Sequence, residues 1–447
     1  MKIIVIGGTA AGLSAASKIK REHKDWDVSV YERSGFTSYG SCGLPYYVQG
    51  IIEKPEDLMH LTVKDLEEKR GIKTKIRHEV IKLDHKNKKI VVKDLEKGEE
   101  FEDHYDEIVL ATGASASFPP IKGIDTGEVY TLRQVEDGIK IRKKAESSSS
   151  AVILGGGYIG LEMAEGLKGQ GLDIHLVDRN EGFFKAYEKD HSEKVREVLE
   201  KEGIHLHMGV DTEEILSEEG KFKAVKGKDG SLIEGDFLMA ALGARPNTSL
   251  GEENGVELGA GKAYRVNKKM QTNVEGIWAC GDCATSTNII TGEETYIPLA
   301  PTANKQGRVC GVNLSGGDQE FKGVLASQIV KIFDLFIAAT GFHYEEAKEL
   351  GYDVEKVTVE QPSKAGYFPG GVRLAMTLIF EKGSGRILGC EMSGDESING
   401  RVNTVAAAIT LDATLEDLKN MDFLYTPATA PVYDIMIIAA RQGLKKI

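Results

Sequence analysis

A glycine turn set between an apolar β-branched run and a helical stretch occurs twice in this chain, about 150 residues apart. In the first copy Ile3-Ile4-Val5-Ile6 leads into Gly7-Gly8-Thr9-Ala10-Ala11-Gly12 and an alanine-rich helix to about Arg21. A second strand, Val28 to Tyr31, then ends on Glu32. In the second copy residues 151–154 lead into Gly155-Gly156-Gly157-Tyr158-Ile159-Gly160, a helix from Leu161 to Leu167, and a strand Ile174 to Val177 ending on Asp178. Each reads as a βαβ unit. Backbone N–H groups at such a helix start hold a pyrophosphate, and a carboxylate ending the next strand takes ribose hydroxyls. Thr9 replaces the middle glycine of the first motif, whereas the second has all three, at 155, 157 and 160. Two such units imply two dinucleotides. Asp178 would repel a 2′-phosphate and so favours NADH, while Arg179 beside it keeps NADPH possible.

The remaining segments fit around these units. Residues 75–110 read as β-rich and end in Ile108-Val109-Leu110-Ala111-Thr112-Gly113, a pattern echoed at 237–243. Thr272 through Gly281-Asp282 places an aspartate after a buried strand, where ligands of open α/β sheets bind. Residues 322–447 lack a nucleotide motif and read as an α+β block, with strands around 325–340 and 373–389 and helices from about Arg401 to Leu411 and from Leu415. A chain of 447 residues is too long for one ordinary core. Its net charge of -13 argues against nucleic acid or an anionic membrane as partner. No apolar run is long enough to span a bilayer, and the run after Lys2 is too short for a signal peptide. Five scattered cysteines (42, 280, 283, 310, 390) do not make a secreted disulfide framework, so a reducing cytoplasm is the expected location.

One cysteine stands in a reactive context: Ser38-Tyr39-Gly40-Ser41-Cys42-Gly43-Leu44-Pro45-Tyr46-Tyr47. Small neighbours let other groups approach the sulfur, and Pro45 is preorganised for a first helical turn. Cys42 is therefore expected at or just before a helix N-terminus, whose partial positive charge favours the thiolate. Cys280-Gly281-Asp282-Cys283 also spells C-x-x-C, but it lies inside the 272–282 motif and no second pair follows, so neither a redox dithiol nor a metal site is expected.

With these residues in hand, the chain resembles the FAD/NAD(P)-dependent pyridine nucleotide-disulfide oxidoreductases over essentially its whole length. The resemblance rests on the paired glycine motifs, Ala111-Thr112-Gly113, and Thr272 through Asp282. It implies an α/β protein with two Rossmann-like domains and a C-terminal α+β dimerisation domain. FAD would occupy a discontinuous domain, 1–112 and 244–321, NAD(P)H the domain 113–243, and residues 322–447 would form a homodimer. By the same resemblance Gly7, Gly12, Glu32, Val80, Gly113, Gly281, Asp282, Pro301 and Thr302 contact FAD, with Asp282 on the ribityl chain. Gly155, Gly157, Gly160, Asp178, Tyr158 and Glu162 serve NADH, Tyr158 as a gate over the flavin.

Most members carry two cysteines at the reactive place. Here position 38 is Ser and Cys42 stands alone, which is similar to the single-cysteine branch: coenzyme A-disulfide reductases, NADH oxidases and peroxidases, and persulfide or polysulfide reductases. The loop Thr9-Ala10-Ala11 lacks the histidine of the peroxidases and many oxidases, and 41–47 is most similar to coenzyme A-disulfide reductases. Lys18, Arg21 and Arg70 then match positions that contact the coenzyme's phosphates and adenine, Ser38, Ser41 and Asn304 are expected on the substrate with them, and Tyr367 and Tyr425 match tyrosines that reach the cysteine from the partner subunit. The chain departs from those reductases at Tyr425-Thr426-Pro427-Ala428-Thr429-Ala430, at Tyr433 and at Asn304. The expectation is hydride relay from NADH through flavin to Cys42, which reduces coenzyme A disulfide or a related small disulfide. The rivals are oxygen or peroxide reduction through a cysteine sulfenic acid, persulfide reduction, and a non-enzymatic flavin redox sensor.

Overall fold

Strands that are buried on both faces need unbroken apolar runs, and two sets of such runs build the parallel sheets of this molecule. The computed structural model describes residues 1–125, 127–184 and 186–447. The chain divides into two compact, discontinuous units. One holds Met1–Pro119, Tyr130–Ser147 and Leu242–Val324; the other holds Pro120–Val129, Ser148–Ala241 and Leu325–Ile447.

In the first unit a five-stranded sheet runs in the order Ile277–Ala279, Glu107–Leu110, Lys2–Ile6, Asp27–Tyr31, Lys73–Lys75, every pairing parallel. Ile3, Ile4 and Val5 are wholly buried. The order reverses direction at Lys2–Ile6, so the crevice at the C-terminal ends of Lys2–Ile6 and Glu107–Leu110 is the ligand-binding switch point. The helix Ala10–Glu22 packs on the helix Ala300–Leu314 through small residues: a Cβ on Gly307 would strike the Ala11 carbonyl, and one on Gly311 would lie 2.8 Å from the Lys18 Cβ. An antiparallel sheet of His78–Asp84, Lys89–Asp94 and Glu100–His104 completes the β-rich stretch expected there.

The second unit contains the sheet His205–Met208, Asp173–Asp178, Ser150–Leu154, Leu238–Ala240, with Val129 from its last strand. Residues 325–447 of this unit add a five-stranded antiparallel sheet in the order Gln328–Ile332, Leu335–Gly341, Ile387–Gly394, Arg373–Glu381, Val354–Pro362, with the helices Ile398–Thr410 and Ile435–Gly443. The helix Lys189–Lys201 is tied to that sheet by a buried histidine. His191 meets Ser393 Oγ through Nδ1 at 2.8 Å and Thr377 Oγ1 through Nε2 at 3.1 Å, and burial pushes its pKa down to about 3, so the ring is neutral.

Both glycine-motif helices start earlier than the sequence pattern suggests, at Ala10 and Tyr158, so the last glycine of each motif lies in the first helical turn. No helix among the described residues is long and apolar enough to cross a membrane.

Candidate active site

The two glycine turns have the same construction. Gly7 and Gly155 adopt φ of +111° and +109°, and their N–H groups donate to the carbonyls of Tyr31 (2.9 Å) and Val177 (2.8 Å). Gly12 and Gly160 lie against the carbonyl oxygens of Gly7 and Gly155, where a Cβ would overlap them. Neither helix receives a side-chain cap at its N-terminus, so first-turn N–H groups are left for an anion. Glu32 is buried and accepts from the N–H groups of Gly8 (2.7 Å) and Ser34 (2.8 Å); its burial raises the carboxyl pKa. Asp178 accepts from Gly156 N–H (2.6 Å) and Asn180 N–H (2.8 Å). A strand-end carboxylate beside an uncapped helix is the donor and acceptor set a dinucleotide requires, and both units supply it.

In the first unit Gly113 (φ +66°) follows Ala111, whose N–H donates to Ile6 O at 2.9 Å, so the Ala-Thr-Gly segment abuts the glycine turn. Gly281 (φ +85°) donates to Gln306 Oε1 at 2.8 Å, and Asp282 pairs with Arg133 at 3.2 Å. Pro301 and Thr302 form the first turn of the helix Ala300–Leu314, with Pro301 exposed and Thr302 buried. Val80 is buried at an irregularity of the strand His78–Asp84.

Cys42 is exposed on a 3₁₀ turn, Ser41–Gly43, that runs directly into the short helix Leu44–Gln49, with Pro45 in its first turn. The segment before it is held from both sides: Ser38 N–H donates to Gly8 O (3.0 Å), His60 N–H to Ser38 O (2.8 Å), and Gly40 N–H to Leu58 O (3.0 Å). Ser38 itself has φ +53°, a left-handed conformation that costs a non-glycine residue roughly 1 kcal/mol or more. Ser41 is exposed beside the sulfur-bearing residue. The far end of the short helix is fastened by Arg142, which donates to the carbonyls of Tyr47 (3.2 Å), Ile52 (3.2 Å) and Glu53 (3.0 Å) and lies over the Tyr47 ring at 4.9 Å. Nothing in the local sequence of Arg142 signalled this anchor, because its partners are remote carbonyls.

Further along the helix Ala10–Glu22, a cleft of about 310 Å³ is lined by Ser14, Lys18, Arg21, Asn304, Lys305 and Arg308. Ser14 Oγ donates to Asn304 Oδ1 at 2.8 Å, and Lys18 pairs with Glu22. Lys18, Arg21 and Asn304 line this one cleft. Arg70, exposed at the end of the helix Val63–Arg70, is not among the lining residues. Lys305 and Arg308 were missed; their i, i+3 spacing with each other, adjoining Asn304, on an exposed helix face was the available signal.

In the second unit Tyr158 heads its helix, its hydroxyl 2.9 Å from that of Tyr187 and its ring 4.7 Å from Phe184. One turn on, burial and then the neighbouring Glu165 push Glu162 up to about 7. Glu165 is itself held by Lys331 and the Phe333 N–H.

Residues 1–307 match the model of the pyridine nucleotide-disulphide oxidoreductases, and residues 327–435 match that family's dimerisation domain. The chain belongs to this family. It is thus an oxidoreductase that works with FAD and a nicotinamide nucleotide. It is 38% identical over 98% of both chains to a CoA-dependent NAD(P)H sulfur oxidoreductase of Pyrococcus furiosus. It is 37% identical to an NADH oxidase of Methanocaldococcus jannaschii, over 100% of this chain and 99% of that one. Among solved structures, an NAD-dependent persulfide reductase from A. fulgidus superposes with a TM-score of 0.96 at 33% identity, covering 100% of this chain and 83% of that one.

Within the region matched to the dimerisation domain, Tyr367 and Tyr425 lie with their hydroxyls 3.4 Å apart, and 78% and 46% of their surfaces are exposed. Leu424, Val432 and Tyr433 are exposed on the same segment. The oxidoreductase's C-x-x-C pair is fully buried: Cys283 donates to Leu110 O at 3.3 Å, and burial pushes its thiol up to about 12. Cys280 is raised too, by its contact with Cys310 and by burial, so neither thiol is poised to exchange.

Proposed function

We propose that this oxidoreductase uses NADH to reduce a disulfide carried by coenzyme A, with Cys42 as the exchanging sulfur. The observation that carries this reading is an exposed cysteine, the first in the chain, on a turn whose preceding segment is bonded through Ser38 N–H to the Gly8 carbonyl, in one unit with a lysine- and arginine-lined cleft on the helix that Gly8 precedes. A helical rise of about 1.5 Å per residue sets Ser14, Lys18 and Arg21 roughly 6 to 17 Å along the axis from Ala10. An extended phosphorylated thiol spans that distance with its sulfur at one end and its phosphates at the other.

The overall reaction is NADH + H⁺ + CoA–S–S–CoA → NAD⁺ + 2 CoA–SH. Gly7, Gly12, Glu32, Val80, Gly113, Gly281, Asp282, Pro301 and Thr302 hold FAD; Gly155, Gly157, Gly160, Tyr158, Glu162 and Asp178 hold the nicotinamide nucleotide. Bound FAD supplies the two-electron relay from nicotinamide to sulfur. The Cys42 thiolate attacks one sulfur of the substrate and expels one coenzyme A thiolate, leaving the other half as a mixed disulfide. Lys18, Arg21 and Asn304 keep that half in place, with Ser38 and Ser41 beside the sulfur. In a homodimer, Tyr425 or Tyr367 of a second copy gives a proton to the departing sulfur. The Asp178 carboxylate supports NADH over NADPH. The domain boundaries 1–112 with 244–321, 113–243 and 322–447 belong to this reading.

Intact mass before and after NADH tests the resting state: a loss equal to one coenzyme A per chain is expected. Cys42→Ser should lower NADH-dependent coenzyme A-disulfide reduction by roughly 10³-fold, and full retained activity would exclude the mechanism. A coenzyme A persulfide as acceptor is the second reading, favoured by the sulfur and persulfide reductases among the relatives. Sulfide release outpacing disulfide reduction would select it. Rapid oxygen uptake with NADH alone would instead favour the oxidase reading, against which the histidine-free loop Thr9-Ala10-Ala11 weighs.

A further inference from the structure

Two neighbouring parallel strands of the second unit, Asp173–Asp178 and His205–Met208, are in a register that pairs His175 with His205 and Val177 with His207. Side chains two apart on a strand share a face, so Asp173, His175, His205 and His207 all lie on one side of the sheet, at its edge. There they converge. His205 Nε2 is 3.0 Å from Asp173 Oδ1, and His175 Nε2 is 3.7 Å from Asp173 Oδ2. One ligand atom from each of the three lies within 4.8 Å of the others. On the far side of its ring, His175 Nδ1 is 3.0 Å from His207 Nε2.

We propose that Asp173, His175 and His205 bind a divalent transition-metal ion, with zinc as the type ion, and that His207 holds His175 in the ligating tautomer. An ion with bonds of about 2.0–2.1 Å places tetrahedral ligands roughly 3.4 Å apart, and the two imidazoles stand 3.0 Å from Oδ1 and 3.7 Å from Oδ2 of the one carboxylate, within 4.8 Å as a set. Two imidazoles and one carboxylate suit zinc, copper or nickel; calcium and magnesium ask for oxygen-rich shells. With Nδ1–H donated to His207 Nε2, His175 keeps its Nε2 lone pair for the ion, the outer-shell arrangement usual for ligating histidines. His205 and Asp173 are more than half exposed, which leaves a coordination position open to water.

The site is separate from the nucleotide machinery. Asp178, at the other end of the same strand, is about 16 Å from Asp173 and about 10 Å from His175 at roughly 3.3 Å per residue. The ion therefore clips the edge strand to its neighbour and stabilises the sheet without touching the reaction. Ligand binding only to the folded state raises the melting temperature in proportion to the logarithm of free ion.

The test is calorimetric and thermal titration of the chelator-stripped, FAD-loaded protein with zinc sulfate. The expected result is one zinc ion per chain at this site and a melting temperature several degrees higher. His175→Ala and His205→Ala should each weaken binding at least 10-fold and abolish the shift, and His207→Phe should weaken it by roughly 10-fold or more. His205→Ala, at an exposed position, should leave NADH turnover unchanged. Cobalt titration separates this site from thiols: N/O ligation gives d–d bands without thiolate charge transfer. Zinc binding of equal affinity in the His175→Ala/His205→Ala double variant, or no binding in the wild type, would overturn the proposal and leave a hydrogen-bonded histidine ladder only.

Discussion

The two glycine turns differ at one place in the motif, and the difference separates what the fold needs from what the ligand needs. Gly7 and Gly155 share a positive φ near +110°, and Gly12 and Gly160 are crowded by the carbonyls of Gly7 and Gly155, so these four are required by the chain itself. The middle position is different. Gly157 has φ -80° and, among the described residues beyond its chain neighbours, nothing within 4 Å of where a Cβ would be, and its counterpart Thr9 sits there with φ -115°. A side chain is tolerated by the protein at both places. The protein's own packing does not require a glycine at 157, and on the proposed function it is the approach of a pyrophosphate that does. Five residues on from this middle position the contrast repeats, since Ser14 bonds Asn304 in the basic cleft while Glu162 stands in the corresponding position of the second unit.

The sharpest way to break this comparison is at the crowded glycines. Gly12→Ala and Gly160→Ala should each destabilise their unit by about 3 kcal/mol, read from urea unfolding, since backbone must move to admit the methyl group. If either loses less than about 0.5 kcal/mol, the two turns are not equivalent. Next is Glu162→Gln. Below pH 4.5 both folded and unfolded wild-type carboxyls are protonated and the substitution is neutral in charge. As pH rises from 4.5 to about 7 only the unfolded chain ionises, so wild type progressively loses the stability that the protonated, buried acid gave it. Above pH 7 the variant should be more stable by roughly 2–3 kcal/mol, measured by thermal melts across pH; Ser14→Ala, at the matching position, should show no such pH step.

A milder exchange sharpens the middle position. Gly157→Thr should leave stability within about 1 kcal/mol yet raise the KM for NADH roughly 10-fold, while Thr9→Gly should change FAD release less than about 3-fold. Smallest of all, Asp178→Asn should improve the kcat/KM ratio of NADPH over NADH by roughly 3- to 10-fold, corresponding to about 1 kcal/mol of relieved charge repulsion.

Much of this was legible because the glycine turns are local. Each βαβ unit is announced by an apolar run, a turn that only glycine accommodates, and an acid at the end of the next strand. Cys42 was legible too, since Pro45 fixes a helical start a few residues on. The hidden parts depend on partners distant in sequence. The helix Lys189–Lys201 is so rich in charge that it reads as solvent-facing, yet His191 is buried against Thr377 and Ser393. Arg142 reads as one basic residue among several, and only the fold brings it to the carbonyls behind Cys42. The strand pairing that gathers Asp173, His175 and His205 is equally invisible without the register.

The last strand of the first parallel sheet, Ile277–Ala279, joins Glu107–Leu110 only after residues 111–276 have been made. A growing chain emerging from the ribosome therefore holds the strand Glu107–Leu110 with an unfilled edge throughout that interval. The helix Ala300–Leu314, which covers the first glycine-turn helix, arrives later still. Contacts this far apart in sequence form slowly, and an open strand edge invites pairing with other chains. Completion of the first unit is consequently a late event in biosynthesis, and the hazard of aggregation is concentrated in that nascent unit before its closing strand is delivered.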